Sequence, residues 1–280
     1  MARRGNTRPI APRGRGASRA VAWQKEYDDF FATFRRAAER DARTDAHGNR
    51  YVPISMRADA NISPQKAQWA FLHAVFPGKV FAADDPLVLG NMAMLRDAEA
   101  EGLVRDTGWV AKGVWNYFAS FYGHGWLWLG HGRKAARTLY DFADHASPLL
   151  VWREEQMPVG EGDAVCGDMP HNWASAEFIR LVRHLLILER GEELHLFEGL
   201  PPAWIRPGKS VRVRGAVTEF GPVSLELRVA ADGSTATLTL DPPQRNRPKR
   251  IVVHQSAWSG GQETFDMPAD RRTERTIELK

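Results

Sequence analysis

The sequence predicts a mainly α-helical domain followed by a β-rich domain. Between Trp23 and about Arg190, apolar residues recur at spacings of three and four, which is typical of helices, and beyond that point the apolar period changes to two. The chain has 280 residues, of which 43% are hydrophobic and 10% aromatic, and this is enough to form a large core. We therefore expect a disordered basic tail over 1–21, a helical domain over 22–190 and an antiparallel, sandwich-like β-domain over 191–280.

The basic character of the chain belongs to its first twenty residues. They contain six arginines and no acidic residue, together with glycines and prolines that offer little apolar surface to bury. The formal net charge is +4, so removing six positive charges leaves −2 for residues 21–280. We therefore expect no specific nucleic-acid partner, because an arginine-rich tail alone gives only salt-sensitive attachment without sequence preference.

The cysteine content and the lack of long apolar segments predict a cytoplasmic protein with no membrane partner. Cys166 is the single cysteine, which excludes an intrachain disulfide. The first residues contain no apolar stretch of the ~7–15 residues that a signal peptide needs. The best candidate for a membrane span, residues 114–129, is shorter than the ~18 apolar residues required and contains Asn116 and His124.

Three helices are expected in the first half of the helical domain. The first covers about 22–42, and we expect its apolar stripe to be buried; the stripe consists of Tyr27, Phe30, Phe31, Phe34 and Ala38. The second begins at the capping pair Ser63-Pro64, since proline is favoured at the first helical position. The third covers about 86–101 and follows Asp85, a second capping residue.

Three more helices complete the helical domain. The fourth, over 112–129, is apolar or aromatic on nearly every side, so we expect it in an inner layer. The fifth, over 133–145, is amphipathic, and the sixth covers about 170–189 and buries one apolar face. The helical domain is therefore expected to contain about six helices, or three helical hairpins.

Alternating apolar and polar residues predict a series of strands after Gly191. The expected strands are 194–197, 211–214, 223–229, 234–240, 250–254 and 276–279. Turn sequences such as Ala231-Asp-Gly-Ser separate them. Because their outer faces are polar, these strands favour an antiparallel sheet or a small sandwich.

The segment Trp152-Arg153-Glu154-Glu155 is the densest polar and aromatic cluster of the chain. Adjacent carboxylates beside an arginine and a tryptophan, in a loop after a buried helix, suit a site that binds a sugar ring and activates a water molecule. The alternative is an exposed helix end that carries an Arg–Glu ion pair. The spacing alone leaves both interpretations open.

A second cluster lies at the start of the sixth helix. In the structural interpretation, Asp168 caps the helix and Trp173 belongs to the core. In the functional interpretation, His171, Asn172 and Trp173 line a pocket at the N-terminus of the helix. The two interpretations are compatible with each other.

Other residues are candidates for contacts with a substrate. Trp109 and Trp115 begin an aromatic run that continues to Trp128, and sugar rings stack on such side chains, although at helical spacing most of the run is expected in the core. Arg57 and Asp59 lie in a loop before the second helix, where a carboxylate either reaches a substrate or forms a turn.

The sequence predicts neither a metal site nor a cofactor site. The nine histidines show no HExxH or other metal-ligand spacing. No phosphate-binding glycine loop is present, and Cys166 has no neighbour that identifies it as an activated nucleophile.

Four motifs follow one another along the chain: Gly113-Val-Trp-Asn-Tyr117, a small-residue helix after Gly130, Trp152-Arg-Glu-Glu155, and Asn172-Trp-Ala-Ser-Ala176. Their order resembles the distal half of a six-hairpin glycosidase, the superfamily that includes trehalases, glucoamylases and rhamnosidases. In trehalase-like members an Arg-Glu segment in this position carries the general base. The resemblance therefore implies that Glu154 is the base, with Glu155 as the fallback, although Gln156 stands where those members have tyrosine.

The resemblance implies a partial (α/α)6 toroid with a C-terminal β-domain, and inverting hydrolysis of an O-glycosidic bond in a carbohydrate substrate. A full toroid has twelve helices and only about six are expected here, so the chain resembles a truncated member that lacks the half carrying the general acid. Since an open half-toroid exposes apolar surface, we expect self-association or a complementary chain that completes the barrel. The alternative is a non-catalytic carbohydrate-binding or assembly remnant.

Overall fold

The computed structural model describes residues 15–57, 61–259 and 263–279, a mixed α/β structure with six α-helices and several antiparallel sheets. The chain divides into two compact units. The first combines Met1–Phe118 with Glu155–Cys166, and the second combines Ala119–Glu154 with Gly167–Lys280. No helix in the described part of the chain has both the length and the apolar character that crossing a membrane requires.

The helices of the described residues match the expected number, but their bounds differ. They are α1 (Arg15–Asp41), α2 (Trp69–Val75), α3 (Pro86–Arg96), α4 (Phe118–Trp128), α5 (Gly132–Asp144) and α6 (Asn172–Leu186). The expectation of a disordered tail over 1–21 is wrong for residues 15–21, which belong to α1, because a run rich in alanine and arginine favours a helix. Residues 1–14 of that tail lie outside the described residues.

The third and fourth helices are shorter than expected because the backbone next to them leaves the right-handed conformation. After α3 the chain forms a hairpin, at whose turn Glu101 and Gly102 have φ of 52° and 78°. Before α4, Lys112 has a φ of 62°, and residues 114–115 form a strand. A residue with positive φ interrupts a right-handed helix, and the spacing of apolar residues does not reveal such an interruption.

The first unit combines α1, α2 and α3 with short strands. These strands are β1 (Arg43–Thr44), β2 (Arg50–Tyr51), β3 (Glu99–Ala100), β4 (Leu103–Val104), β5 (Val114–Trp115), β6 (Glu155–Gln156) and β7 (Val165–Cys166). Strands β5, β6 and β7 form one antiparallel sheet. The buried Asn91 of α3 accepts the Val52 backbone N–H at 2.8 Å and donates to Gln68 at 2.6 Å, so its polar atoms are satisfied inside the core.

The apolar stripe of α1 is buried only in part, with Phe31 and Phe34 half-buried. Ala38 is fully buried, but Tyr27 is 52% and Phe30 70% exposed. The expectation that the whole stripe is buried is therefore wrong for Tyr27 and Phe30. Amphipathic spacing identifies the apolar face of a helix, and whether another element covers that face depends on tertiary structure.

The second unit joins α5, α6 and nearly all of α4 to two four-stranded sheets. The strands are β8 (Ile187–Arg190), β9 (Glu193–Leu196), β10 (Ser210–Thr218), β11 (Gly221–Val229), β12 (Thr235–Asp241), β13 (Arg250–His254), β14 (Thr264–Met267) and β15 (Thr273–Glu278). One sheet has the order β10-β11-β12-β15 and the other β14-β13-β9-β8. All their pairs are antiparallel except the parallel pair of β13 and β9.

The two sheets share one apolar core, as expected of a sandwich. Alternate residues of each strand enter this core, so that Leu225 and Leu227 of β11 meet Leu238 and Leu240 of β12. Sequence reasoning missed β14, and it assigned the residues of β8 to the end of the sixth helix. That helix ends at Leu186, before the β-branched Ile187.

Replacing a core leucine of the sandwich should destabilise the protein far more than replacing an exposed residue of the same sheet. Leu238 is fully buried, so we expect Leu238→Ala to lower the free energy of unfolding by about 2–5 kcal/mol through lost burial and a cavity. Val217 is 79% exposed, and Val217→Ala should change the free energy of unfolding by about 0.5 kcal/mol or less. Urea unfolding measures both, and equal effects would contradict the shared core.

Candidate functional site

The second unit brings together the two polar clusters found in the sequence. The Glu154 backbone N–H donates to the Asp168 carbonyl at 3.3 Å, and the His171 N–H donates to the Trp152 carbonyl at 2.8 Å. These bonds align the segment after α5 with the segment that leads into α6. As a result, side-chain ligand atoms of Glu154, Asp168 and His171 all lie within 4.8 Å of one another.

Gly167 is required by the position of the Glu154 side chain. Its φ is +72°, and a Cβ built on it would lie 2.0 Å from Oε2 of Glu154. Any other residue would therefore displace the carboxylate and also strain the backbone. The glycine allows the Glu154 side chain to lie directly against the chain that carries Asp168.

Asp168 and His171 form a hydrogen-bonded pair. Oδ1 of Asp168 lies 2.6 Å from Nδ1 of His171, and this hydrogen bond holds the pKa of the Asp168 carboxyl below its ordinary value. The expectation that Asp168 caps the sixth helix is wrong, because His171 occupies the N-cap position and its side chain makes no capping bond. The bond instead holds the half-buried imidazole of His171 in one orientation.

The two tryptophans of these segments have opposite roles. Trp152 is buried between Phe142 of α5 and Phe178 of α6, and its indole N–H donates to the Phe142 carbonyl at 2.7 Å. It therefore anchors the segment and offers little surface to a ligand. Trp173 is 55% exposed and follows the exposed Asn172 at the start of α6, so its ring is accessible to solvent.

Arg153 and Glu154 are both half-buried, whereas Glu155 has no exposed surface. Glu155 lies in the first unit, where its Oε2 accepts the Trp109 backbone N–H at 2.7 Å. A Cβ on Gly108 would lie 2.6 Å from the same oxygen, so the carboxylate packs tightly against this turn. These contacts suit a structural role for Glu155 and leave Glu154 as the carboxylate within reach of solvent.

The remaining predicted site residues belong to the first unit. Trp115 is buried and its ring packs against Trp109 and Tyr117, while Trp109 is 63% exposed. Arg57 is exposed, and its backbone carbonyl accepts a hydrogen bond from Arg43. Asp59 lies outside the described residues. The backbone hydrogen bonds that align Glu154 with Asp168, and His171 with Trp152, join segments of the second unit.

The spacing of Glu154 and Asp168 limits the chemistry of the pair. Their oxygens lie within 4.8 Å, whereas the two carboxyl groups of an inverting glycosidase are about 6.5–9.5 Å apart to admit a water molecule. Asp168 is therefore unsuited to act as the acid partner of Glu154 in such a reaction. What the cluster offers is one partly exposed carboxylate that can accept a proton, beside an imidazole whose Nδ1 is bonded to Asp168 and whose Nε2 is buried.

Sequence reasoning singled out His171 and Glu154 but gave Asp168 only a capping role. The three-residue spacing of Asp168 and His171 was a usable signal for their pairing. A second group of potential ligands, His195, Glu198 and His254, was missed, because its histidines are 59 residues apart in the sequence. No protein-family model and no curated protein matches the chain.

Gly167→Ala tests whether the close approach of Glu154 matters. The control is Gly208→Ala, because Gly208 has the same φ of +72° but nothing within 4 Å of a built Cβ. The control should lose about 1 kcal/mol of unfolding free energy from backbone strain alone. We expect a clearly larger loss in Gly167→Ala by urea unfolding, and equal losses would show that the carboxylate does not depend on the glycine.

Proposed function

We propose that this chain is a carbohydrate-active protein of the six-hairpin glycosidase type, with Glu154 as the general base that activates water for hydrolysis of an O-glycosidic bond. The observation that carries the proposal is the meeting of Glu154, Asp168 and His171 at the start of the helix that carries the exposed Trp173. Two segments that the motif order singled out are thereby joined in one unit.

Each side chain of the cluster has a role in this proposal. Glu154 is held against Gly167 but remains partly exposed, so it can take a proton from a water molecule. His171 holds Asp168 beside this carboxylate through its Nδ1, and the exposed ring of Trp173 can stack on an apolar sugar face. The bound sugar would then lie beside the base.

The proposal also covers the arrangement of the helices and the origin of the general acid. We propose that the helices form part of an (α/α)6 toroid, in which the general acid belongs to a hairpin outside these helices. A complementary chain would then supply it. Without the acid, the rate would fall by about 10²–10⁴-fold.

A second candidate function is carbohydrate binding without catalysis. The short separation of Glu154 and Asp168 favours it, because this pair cannot serve as the acid and the base of an inverting reaction, while both carboxylates can still bind hydroxyls. In this case the aromatic ring of Trp173 would contribute most of the binding. The substrate class, an α-linked or deoxy-sugar glycoside, is the same for both candidates.

To test whether Glu154 is the general base, the rate of hydrolysis of aryl α-glucosides and α-rhamnosides is measured for the wild-type chain and for the variants Glu154→Gln and Glu219→Gln. Loss of the base should lower kcat by at least about 10²-fold. Glu219 is exposed on the sandwich, so its substitution should leave the rate unchanged and controls for the loss of one carboxylate. Turnover that survives in Glu154→Gln would overturn the assignment of the base.

A chain without turnover is tested for binding by calorimetric titration with the matching oligosaccharides. We expect Trp173→Ala to weaken binding by about 10-fold, the upper part of the range for an aromatic stacking contact. Ile179→Ala is the control, because Ile179 is a second exposed apolar residue of α6. Binding that depends on Trp173 supports the second candidate, and a folded chain with neither turnover nor binding contradicts both candidates.

A further inference from the structure

A group of two histidines and a glutamate lies on one sheet of the sandwich, apart from the Glu154 cluster. His195 is on β9 and His254 ends β13, its parallel neighbour. Val252 is the register partner of His195, so His254, two residues further on, projects from the same face of the sheet. Glu198 follows β9 by two residues. The fold thus brings three side chains that can ligate a metal close together.

The distances among these side chains suit a single metal ion. Nδ1 of His195 lies 2.9 Å from Nε2 of His254 and 3.9 Å from Oε2 of Glu198. All three ligand atoms lie within 4.8 Å of one another. In a tetrahedral site with metal–ligand bonds of about 2.0–2.2 Å, the ligand atoms are roughly 3.3 Å apart. Small side-chain rotations would therefore bring all three atoms into range of one ion.

We propose that His195, His254 and Glu198 bind one divalent transition-metal ion, for which Zn²⁺ is the best match. Two imidazoles and one carboxylate form a ligand set that zinc uses, with a fourth position left for water or another ligand. The group lies mostly inside the protein, since the side chain of His195 is 13% and that of Glu198 5% exposed. The site is independent of the function proposed for the Glu154 cluster.

Neighbouring residues already orient the ligands. Nε2 of His195 lies 3.1 Å from Oε2 of Glu193, a carboxylate–histidine contact that metal-binding histidines commonly make with the nitrogen that faces away from the metal. This contact places the proton on Nε2 and turns the lone pair of Nδ1 toward the other two ligands. The Nε2–H of His254 donates to that lone pair, and on metal binding its proton would move to Nδ1 of the same ring.

Arg190 holds Glu198 and also sets a limit on affinity. Its guanidinium donates to both oxygens of Glu198, at 2.7 and 2.9 Å, and to the carbonyls of Leu127 and Trp128 at the end of α4. A carboxylate oxygen has two lone pairs, so Oε2 can accept from Arg190 and still bind a metal. The positive charge of Arg190 opposes the cation, and the charges of Glu193 and Glu198 favour it.

The test is calorimetric titration of the full chain with Zn²⁺ after treatment with a chelator and its removal. We expect one ion per chain, with affinity reduced more than about 10²-fold in the double variant His195→Gln/His254→Gln. Glu193→Gln should keep the stoichiometry but weaken binding by about 10–100-fold, as expected for a residue that orients a ligand. Circular dichroism of each variant before titration establishes that it is folded.

Two controls assign the ion to this site. His47→Gln changes an exposed histidine of the first unit, and His171→Gln changes the other cluster, so both should bind zinc as the wild type does. Failure of the wild-type chain to bind zinc would overturn the proposal. So would binding that is unchanged in the double variant, or lost in His171→Gln. None of these outcomes depends on glycoside turnover, so this site and the proposed function can fail separately.

Discussion

The packing of the Trp152 ring is the interaction on which the Glu154 cluster depends. Phe142 of α5 and Phe178 of α6 lie on this ring, at centroid distances of 5.1 and 4.9 Å, and the indole N–H is bonded to the Phe142 carbonyl. Three segments of the second unit are thus joined by one apolar contact with a satisfied polar group. Trp152 cannot move without opening this core. The side chain of Glu154, two residues later, is therefore held close to Gly167.

Adjacent glutamates acquire different roles because their side chains have different neighbours. Glu154 faces Gly167 in the second unit, and Glu155 faces Gly108 in the first. Each carboxylate lies close to a glycine, but one remains partly exposed while the other is buried and bound by a backbone N–H. The same residue type therefore provides a candidate base at one position and a structural contact at the next.

Local sequence patterns predicted the helices and strands better than they predicted which faces of these elements would be buried. The alternation of β11 and β12 predicted both strands and the core leucines, because a side-chain period of two follows directly from strand geometry. The spacing in α1 predicted its apolar face but not that Phe30 would be 70% exposed. The hairpin after α3 was missed because its turn depends on backbone angles at Glu101 and Gly102 that the apolar period does not encode.

The sequence by itself predicted six helices followed by a series of strands, and it singled out the two segments around Glu154 and His171. The preference for Glu154 through motif order stays a prediction. Only the tertiary structure decided that these segments meet, that Trp152 anchors them, and that His195 lies 2.9 Å from His254. The reason is that periodicity and capping act within a few residues along the chain. A site is formed by contacts between residues distant in sequence, which arise only when the elements pack.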